Sequence, residues 1–199
     1  MTQTLLELAF KGERDYVHGT DLFNQTLSWL QSALPHAPVQ DVDFSFHRLA
    51  RHQVRVQVGD PPLGEQAFSV CAFTQSGRRQ KAYLIETQEP VATRYPYPED
   101  EIVASMQVDP RARRGVLRGP VGYTDIEVWV AMSKALHYRV FAQLPGKWLF
   151  VRGRFPMPTR HTQARERTLM IAASLHDRLT RSDVLLDGRK VGEIYYSVA

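Results

Sequence analysis

Two segments with helical periodicity, one in each half of the chain, place the strongest constraint on its fold. In residues 21–34 the apolar side chains recur along one helix face, and the opposite face is polar. Either Thr20 or Asp21 can cap this helix. In residues 126–141 nearly every face is apolar, as expected of a buried helix. Thr124 and Glu127 have the spacing of a capping box, which places the start of the second helix near residue 125.

Segments with strand character follow each predicted helix. Apolar and polar residues alternate strictly in 42–47 and 54–58, as in half-buried strands. Asp187-Gly188 is a strong signal for a hairpin turn. The other predicted strands are 68–73, 82–87, 102–108, 148–155, 169–175, 182–186 and 191–198, and the proline-containing stretch 88–100 predicts a connecting segment. This order predicts an α+β chain in which one helix followed by strands occurs twice.

The two halves also share short matching segments. Gly19-Thr20-Asp21 aligns with Tyr123-Thr124-Asp125 at an offset of 125 − 21 = 104 residues. The predicted hairpin turns at Gly77 and Gly188 are offset by 188 − 77 = 111 residues. An internal duplication explains both matches if loop lengths have changed. The alternative is that a helix followed by a hairpin is common and that the matched residues arose by chance. The sequence leaves both explanations open.

The composition is that of an ordinary globular protein. Of 199 residues, 43% are hydrophobic and 23% are charged, which excludes collagen-like, disulfide-scaffold and disordered classes. Lys and Arg exceed Asp and Glu by 25 − 21 = 4, an excess compatible with an anionic partner. The first residues lack the basic start and unbroken apolar run of a secretory signal, and no stretch approaches the roughly 20 apolar residues that span a bilayer. We therefore expect a soluble, cytoplasmic protein that does not enter a membrane.

Motifs for metals and nucleotides are missing from the sequence. Cys71 is the only cysteine, so neither an internal disulfide nor a CxxC zinc module can form. The histidines include no pair at i, i+4 around a glutamate. There is no Gly-rich phosphate loop, no dinucleotide fingerprint and no Gly-x-Ser-x-Gly elbow. The sequence therefore predicts neither a metal nor a cofactor.

The order of elements resembles the hotdog fold, in which a long, mostly apolar helix is wrapped by a curved antiparallel sheet. Residues 42–49, then 53–58, then a strand pair are similar to the strands that follow the helix in acyl-thioester hydrolases and hydroxyacyl dehydratases with this fold. The resemblance implies an α+β tandem, or double, hotdog. Its halves are 1–100 and 101–199, joined in one compact unit, and each central helix is expected to be wrapped by its own antiparallel sheet.

The resemblance also implies an activity. These enzymes act on an acyl chain carried as a thioester by coenzyme A or acyl carrier protein, in fatty acid or polyketide metabolism, and they hydrolyse the thioester or dehydrate the acyl chain. Their catalytic groups lie near helix starts, where unpaired N–H groups and the helix dipole stabilise an oxyanion on the thioester carbonyl. The candidate catalytic residues are therefore His18, Asp21 and Asp125, whereas the capping box already accounts for Glu127.

Further residues are candidates for substrate binding. Asn24 lies one turn into the first predicted helix, where its amide could orient a carbonyl group. Two basic loops could hold the phosphates of coenzyme A or of the carrier protein; their residues are Arg78, Arg79, Arg111, Arg113 and Arg114. A homodimer is compatible with the resemblance.

Simpler interpretations compete with these roles. His18 could be a loop histidine, and Asp21 could be a helix cap instead of a base. The basic, aromatic segment 148–154 could bind single-stranded nucleic acid. Long side chains that cover apolar neighbours explain that segment equally well, so we do not expect a nucleic-acid partner. The alternative function is that of a non-catalytic hotdog protein which binds an acyl carrier or an anionic metabolite.

Overall fold

The computed structural model describes residues 2–34, 37–61 and 63–199. The chain divides into two compact units, Met1–Tyr97 and Pro98–Ala199. Among the described helices, none has the length and apolar character needed to cross a bilayer. Each unit contains one long helix and a set of antiparallel strands.

The N-terminal unit begins with strands and places its long helix before the main part of its sheet. Its elements are β1 (Thr2–Leu6), β2 (Phe10–Lys11), α1 (Gly19–Ala33), β3 (Gln40–Phe46), β4 (His52–Val58), β5 (Ser69–Gln75), β6 (Arg78–Pro90) and β7 (Arg94–Tyr95). Five strands pair antiparallel in the order β1-β4-β6-β5-β3. The two-residue strands β2 and β7 form a separate parallel pair, which places Lys11 beside Tyr95.

The predicted periodicities of the N-terminal unit are confirmed. Leu22, Phe23 and Leu30 of α1 are buried, and the ring of Phe23 lies 5.5 Å from that of Phe44 on β3, centroid to centroid. Alternate residues of β3 are buried, and so are Val54, Val56 and Val58 of β4, as expected of strands with one face on the core; Gln57, between the last two, is also buried. The turn between β5 and β6 has φ values of 48° and 73° at Ser76 and Gly77, so glycine suits its second position.

The C-terminal unit has the same order of a helix followed by strands, preceded by a short helix and two more strands. Its elements are α2 (Glu99–Ile102), β8 (Gln107–Asp109), β9 (Arg114–Arg118), α3 (Asp125–Val140), β10 (Trp148–Phe155), β11 (Glu166–Leu175), β12 (Leu179–Leu186) and β13 (Arg189–Val198). The strands pair antiparallel in the order β10-β13-β12-β11-β9-β8.

The helix α3 is the element that the sequence predicts best. Its capping box is present, and the Thr124 backbone N–H donates to Glu127 Oε2 at 2.9 Å. Both the first and the second turn of the helix are mostly buried, as its all-round apolar surface predicts. The Tyr196 hydroxyl of β13 donates to the Val130 carbonyl of the helix at 2.8 Å, which ties α3 to the sheet.

Two sequence predictions for residues 88–108 are wrong. The strand predicted at 102–108 is instead the end of α2, a turn and the first two residues of β8. Consecutive acidic residues after Pro98 favour a helix start there, since they complement the dipole at the N-terminus of α2. The segment 88–100 is not only a connection, because β6 continues to Pro90 and β7 follows it.

His137 is a fully buried histidine within α3. Its Nδ1 lies 2.6 Å from the Ser133 carbonyl oxygen, and its Nε2 lies 2.6 Å from Thr180 Oγ1. The ring stacks on Tyr196 at a centroid distance of 5.0 Å. Burial lowers the pKa of His137 to about 4, although the hydrogen bond to Ser133 acts in the opposite direction.

We expect acidification to destabilise the protein through His137. Above pH 6.5 the ring is neutral in both the folded and the unfolded chain. Between pH 6.5 and pH 4 the unfolded chain binds a proton that the folded chain rejects, so the free energy of unfolding falls by about 3 kcal/mol and then levels off. Urea denaturation of the parent and of His137→Gln across this range measures the difference. An identical pH dependence in the two proteins would show that His137 does not cause the loss.

Candidate functional site

The first turn of α1 brings two of the predicted catalytic residues together. His18 has an extended backbone, with φ −74° and ψ 136°, and it occupies the N-cap position without a capping hydrogen bond from its side chain. The prediction that Thr20 or Asp21 caps the helix is wrong, because both residues lie inside the first turn. Their side chains are therefore available for contacts with the segments that precede and follow the helix.

The hydroxyl group of Thr20 holds the His18 ring against the helix. Its Nδ1 lies 2.7 Å from Thr20 Oγ1, and its ring centroid lies 6.0 Å from that of Tyr97. Only 7% of the residue is exposed. A histidine buried at the entrance of a helix has a fixed ring orientation, which a group that acts on a substrate requires.

Lys11 is the central cation of this site, and the sequence analysis did not identify it. It is fully buried, and its Nζ donates to Thr20 Oγ1 and to Asp21 Oδ1, both at 3.0 Å. The ammonium also lies 4.1 Å from the centroid of the Tyr97 ring, at a distance suited to a cation–π contact. A buried lysine needs such partners, because an unpaired ammonium is costly to remove from water.

Asp21 is engaged on both of its carboxylate oxygens. Oδ1 accepts the hydrogen bond from Lys11, and Oδ2 accepts one from the Tyr95 hydroxyl at 2.7 Å. The parallel pairing of β2 with β7 brings both donors to the helix start. We call Lys11, His18, Thr20, Asp21 and Tyr95 the α1-start cluster. Within it, Asp21 holds the lysine in place.

The third predicted catalytic residue, Asp125, opens α3 in the C-terminal unit. It is buried, and its Oδ2 accepts hydrogen bonds from the hydroxyls of Thr159 and Thr162, both at 2.6 Å. Its Oδ1 accepts the Thr162 backbone N–H at 3.1 Å and lies 3.8 Å from the guanidinium of Arg167. We call these four residues the Asp125 cluster. The carboxylate therefore ties the segment after β10 to the start of α3.

The predicted substrate-binding residues lie on α1 and on two exposed turns. Asn24 is half-buried on α1. Arg78 and Arg79 follow the β5–β6 turn, and Arg79 donates to the Asp41 carbonyl. In the C-terminal unit, the exposed β8–β9 turn carries Arg111 and Arg113, and Arg114 follows it as the first residue of β9.

Two of these three arginines already contact other side chains of the C-terminal unit. Arg113 lies 5.5 Å from the centroid of the Phe141 ring, and Arg114 lies 3.6 Å from Glu166. Because Arg114 and Glu166 meet at the surface, water and salt weaken their attraction, and an anionic ligand can compete for this arginine.

The structure offers no metal site among the residues that it describes. No group of three or more His, Cys, Asp and Glu side chains there has the arrangement to hold an ion. Cys71 is buried on β5, and burial raises the pKa of its thiol. A thiol in this environment is a poor nucleophile, because the reactive form is the thiolate.

Comparison with solved structures identifies the fold of this chain. No protein-family model and no curated protein matches the chain, but solved structures match nearly all of it. A protein of Novosphingobium aromaticivorans assigned as a thioesterase has a TM-score of 0.55 and 11% identity, over 99% of this chain and 94% of its own. The tesB protein of Mycobacterium avium subspecies paratuberculosis has a TM-score of 0.53 and 14% identity, over 99% and 93%.

A third match comes from a polyketide pathway. The pyran synthase domain from module nine of the sorangicin pathway has a TM-score of 0.53 and 12% identity, over 99% of this chain and 92% of that domain. These structures are hotdog-fold proteins, so the predicted relation to this fold is confirmed. Identities this low establish the shared fold alone.

Proposed function

We propose that this hotdog chain is an acyl-thioester enzyme whose substrate carbonyl binds at the start of α1, beside His18. In this proposal the chain is a tandem hotdog, in which α1 and α3 are the two central helices and each is wrapped by the sheet of its own unit. The substrate is an acyl chain carried by coenzyme A or by acyl carrier protein, and the reaction is hydrolysis of the thioester or dehydration of a hydroxyacyl chain.

The observation that supports this site most strongly is the position of His18. This histidine is buried at the start of α1, and its side chain makes no capping hydrogen bond to the helix. The first amide groups of a helix have no partner inside the helix, and together with the dipole they favour negative charge. Hydrolysis places such charge on the carbonyl oxygen in a tetrahedral intermediate, and dehydration places it there in an enolate. One oxyanion site at α1 can therefore serve either reaction.

The roles of the two aspartates follow from their contacts. Asp21 is paired with Lys11 and Tyr95, so we assign it to positioning. Asp125 stays in the proposal as the candidate carboxylate for hydrolysis because it opens α3, the corresponding helix of the C-terminal unit. The exposed arginines of the two turns are the proposed contacts for the carrier's phosphates, and Asn24 is a proposed contact for the acyl group. Cytoplasmic location and a homodimer stay part of the proposal.

The first test is the substitution His18→Ala. We expect it to lower kcat/KM on the preferred acyl thioester by at least roughly 100-fold, because a positioned acid–base or oxyanion group contributes that much. Hydrolysis is followed by the release of free thiol. Dehydration and its reverse are followed by the absorbance of the conjugated enoyl thioester. Saturated, 3-hydroxyacyl and 2-enoyl thioesters of coenzyme A and of acyl carrier protein form the substrate panel.

His47→Ala is the matched control, because His47 is an exposed histidine of the same unit. Turnover that survives in His18→Ala at the parental rate would contradict the proposed site. A parent protein that binds acyl thioesters but turns none over would instead favour the non-catalytic alternative, in which the chain binds an acyl carrier or an anionic metabolite.

A further inference from the structure

We propose that Lys11 and Thr20 fix His18 in the neutral tautomer with its proton on Nε2, so that the ring acts as a hydrogen-bond donor to the substrate and not as a base. The proposal rests on the proposed function for its substrate, but the tautomer itself follows from the hydrogen bonds of the α1-start cluster. It assigns a positioning role to two residues outside the predicted catalytic set.

The Thr20 hydroxyl is the group that decides the tautomer. It is fully buried, and in the described part of the chain its partners are Lys11 Nζ at 3.0 Å and His18 Nδ1 at 2.7 Å. A hydroxyl carries one proton and accepts at its lone pairs, whereas an ammonium can only donate. Thr20 must therefore accept from Lys11.

Among the residues that the structure describes, His18 Nδ1 is the hydrogen-bond partner that remains for the proton of that hydroxyl. If His18 Nδ1 carried a proton, Thr20 would accept twice and its own proton would be left buried without a partner, which folded proteins avoid. Donation from Thr20 to an unprotonated Nδ1 gives the Thr20 hydroxyl both a donor and an acceptor. The neutral ring then carries its proton on Nε2.

Asp21 and Tyr95 keep this arrangement in place. The Asp21 carboxylate accepts from Lys11 on one oxygen and from the Tyr95 hydroxyl on the other, which holds the ammonium where it must donate to Thr20. The nearby positive charge also polarises the Thr20 hydroxyl and strengthens it as a donor. The cluster therefore acts on the ring through Thr20, while Lys11 and Asp21 do not have to touch the substrate.

A ring that presents Nε2–H can donate to the thioester carbonyl oxygen as negative charge develops there. Because that nitrogen already carries a proton, it cannot take one from a carbon or from water, and the proton that either reaction releases must go to a different base, the role that the proposed function gives to a carboxylate. No covalent bond to the ring forms or breaks in this role. Donation by a neutral imidazole also keeps a second full positive charge away from the buried ammonium of Lys11.

Two measurements on the unmodified protein and its His18 variants test the tautomer. In protein labelled with 15N-histidine, the His18 ring signals are identified by their loss in His18→Ala. We expect an unprotonated Nδ1 and a protonated Nε2 at neutral pH; the opposite tautomer would overturn the proposal. In turnover assays we expect His18→Gln, whose amide donates but cannot act as a base, to retain at least roughly 10-fold more activity than His18→Ala. Equal losses in the two variants would show that the ring acts as a base.

The role of Thr20 is tested with an isosteric and a conservative change. Thr20→Val removes the hydroxyl and is expected to release the ring signals from the single tautomer and to lower kcat by roughly 10- to 100-fold. Thr20→Ser restores the hydroxyl and is expected to restore both. Unchanged ring signals in folded Thr20→Val would refute the role of Thr20. If no thioester is turned over, the proposed function fails, while the ring signals of the parent still decide the tautomer.

Discussion

Asp125→Ala is expected to lower the free energy of unfolding by about 3–5 kcal/mol, the loss found when one partner of a buried ion pair is removed. Arg167 lies 3.8 Å from this carboxylate, and the side chains of Arg167 and Asp125 are 3% and 5% exposed. The substitution leaves that guanidinium buried without its counter-charge. The hydroxyls of Thr159 and Thr162 also lose their shared acceptor. Urea denaturation followed by circular dichroism measures the effect.

Two further variants separate the causes of this loss. Asp125→Asn keeps an oxygen that can accept from the Thr162 backbone but removes the charge, and we expect it to cost less than Asp125→Ala. Asp100→Ala removes an exposed aspartate at the start of α2, where the change should stay within about 0.5 kcal/mol of the parent. A stability of Asp125→Ala equal to that of Asp100→Ala would mean that the Asp125 cluster does not hold the start of α3.

The elements that the sequence predicts correctly are those whose signal is local. The capping box of Thr124 and Glu127 fixes the start of α3, because both residues lie in the same turn. The turn at Asp187 and Gly188 has φ values of 47° and 79°, as expected of a two-residue hairpin. Strict alternation identifies β3 and β4 for the same reason, since the pattern and the element coincide along the chain.

The parts of the site that the sequence does not predict depend on distant partners. Lys11 is a charged residue in a short strand, and nothing in its neighbourhood indicates that it is buried. Its strand pairs with Arg94–Tyr95, far along the chain, and a two-residue parallel pair has no periodicity to detect. Asp21 fits the preference for acidic residues at a helix start, so the sequence pattern favours a capping role for it.

The sequence predicts the position of each candidate catalytic residue better than its contacts, because those contacts involve residues that no local pattern links to it. The sequence places His18 at a helix entrance, as the structure does, because position along the chain is enough for that. Its hydrogen bond to Thr20 is visible only in the structure, because the sequence pattern favours Thr20 as a helix cap. The partners of Asp125 follow β10 and precede β11, so no local pattern links them to the start of α3. A cluster of threonines near an arginine in 159–167 is the one signal available.

Lys11→Ala is expected to lower the free energy of unfolding by about 3–5 kcal/mol, because it leaves the carboxylate of Asp21 without its buried counter-charge. Replacing both partners, as in Lys11→Met with Asp21→Leu, leaves neither charge behind and is expected to fall closer to the parent than Lys11→Ala does. Denaturation of the single and double variants completes the cycle, and additive losses would contradict coupling between the two residues. Because the double variant is expected to fold without the ammonium that directs the Thr20 hydroxyl, it also separates stability from control of the tautomer. Its His18 ring signals should therefore show both tautomers even when the fold is intact.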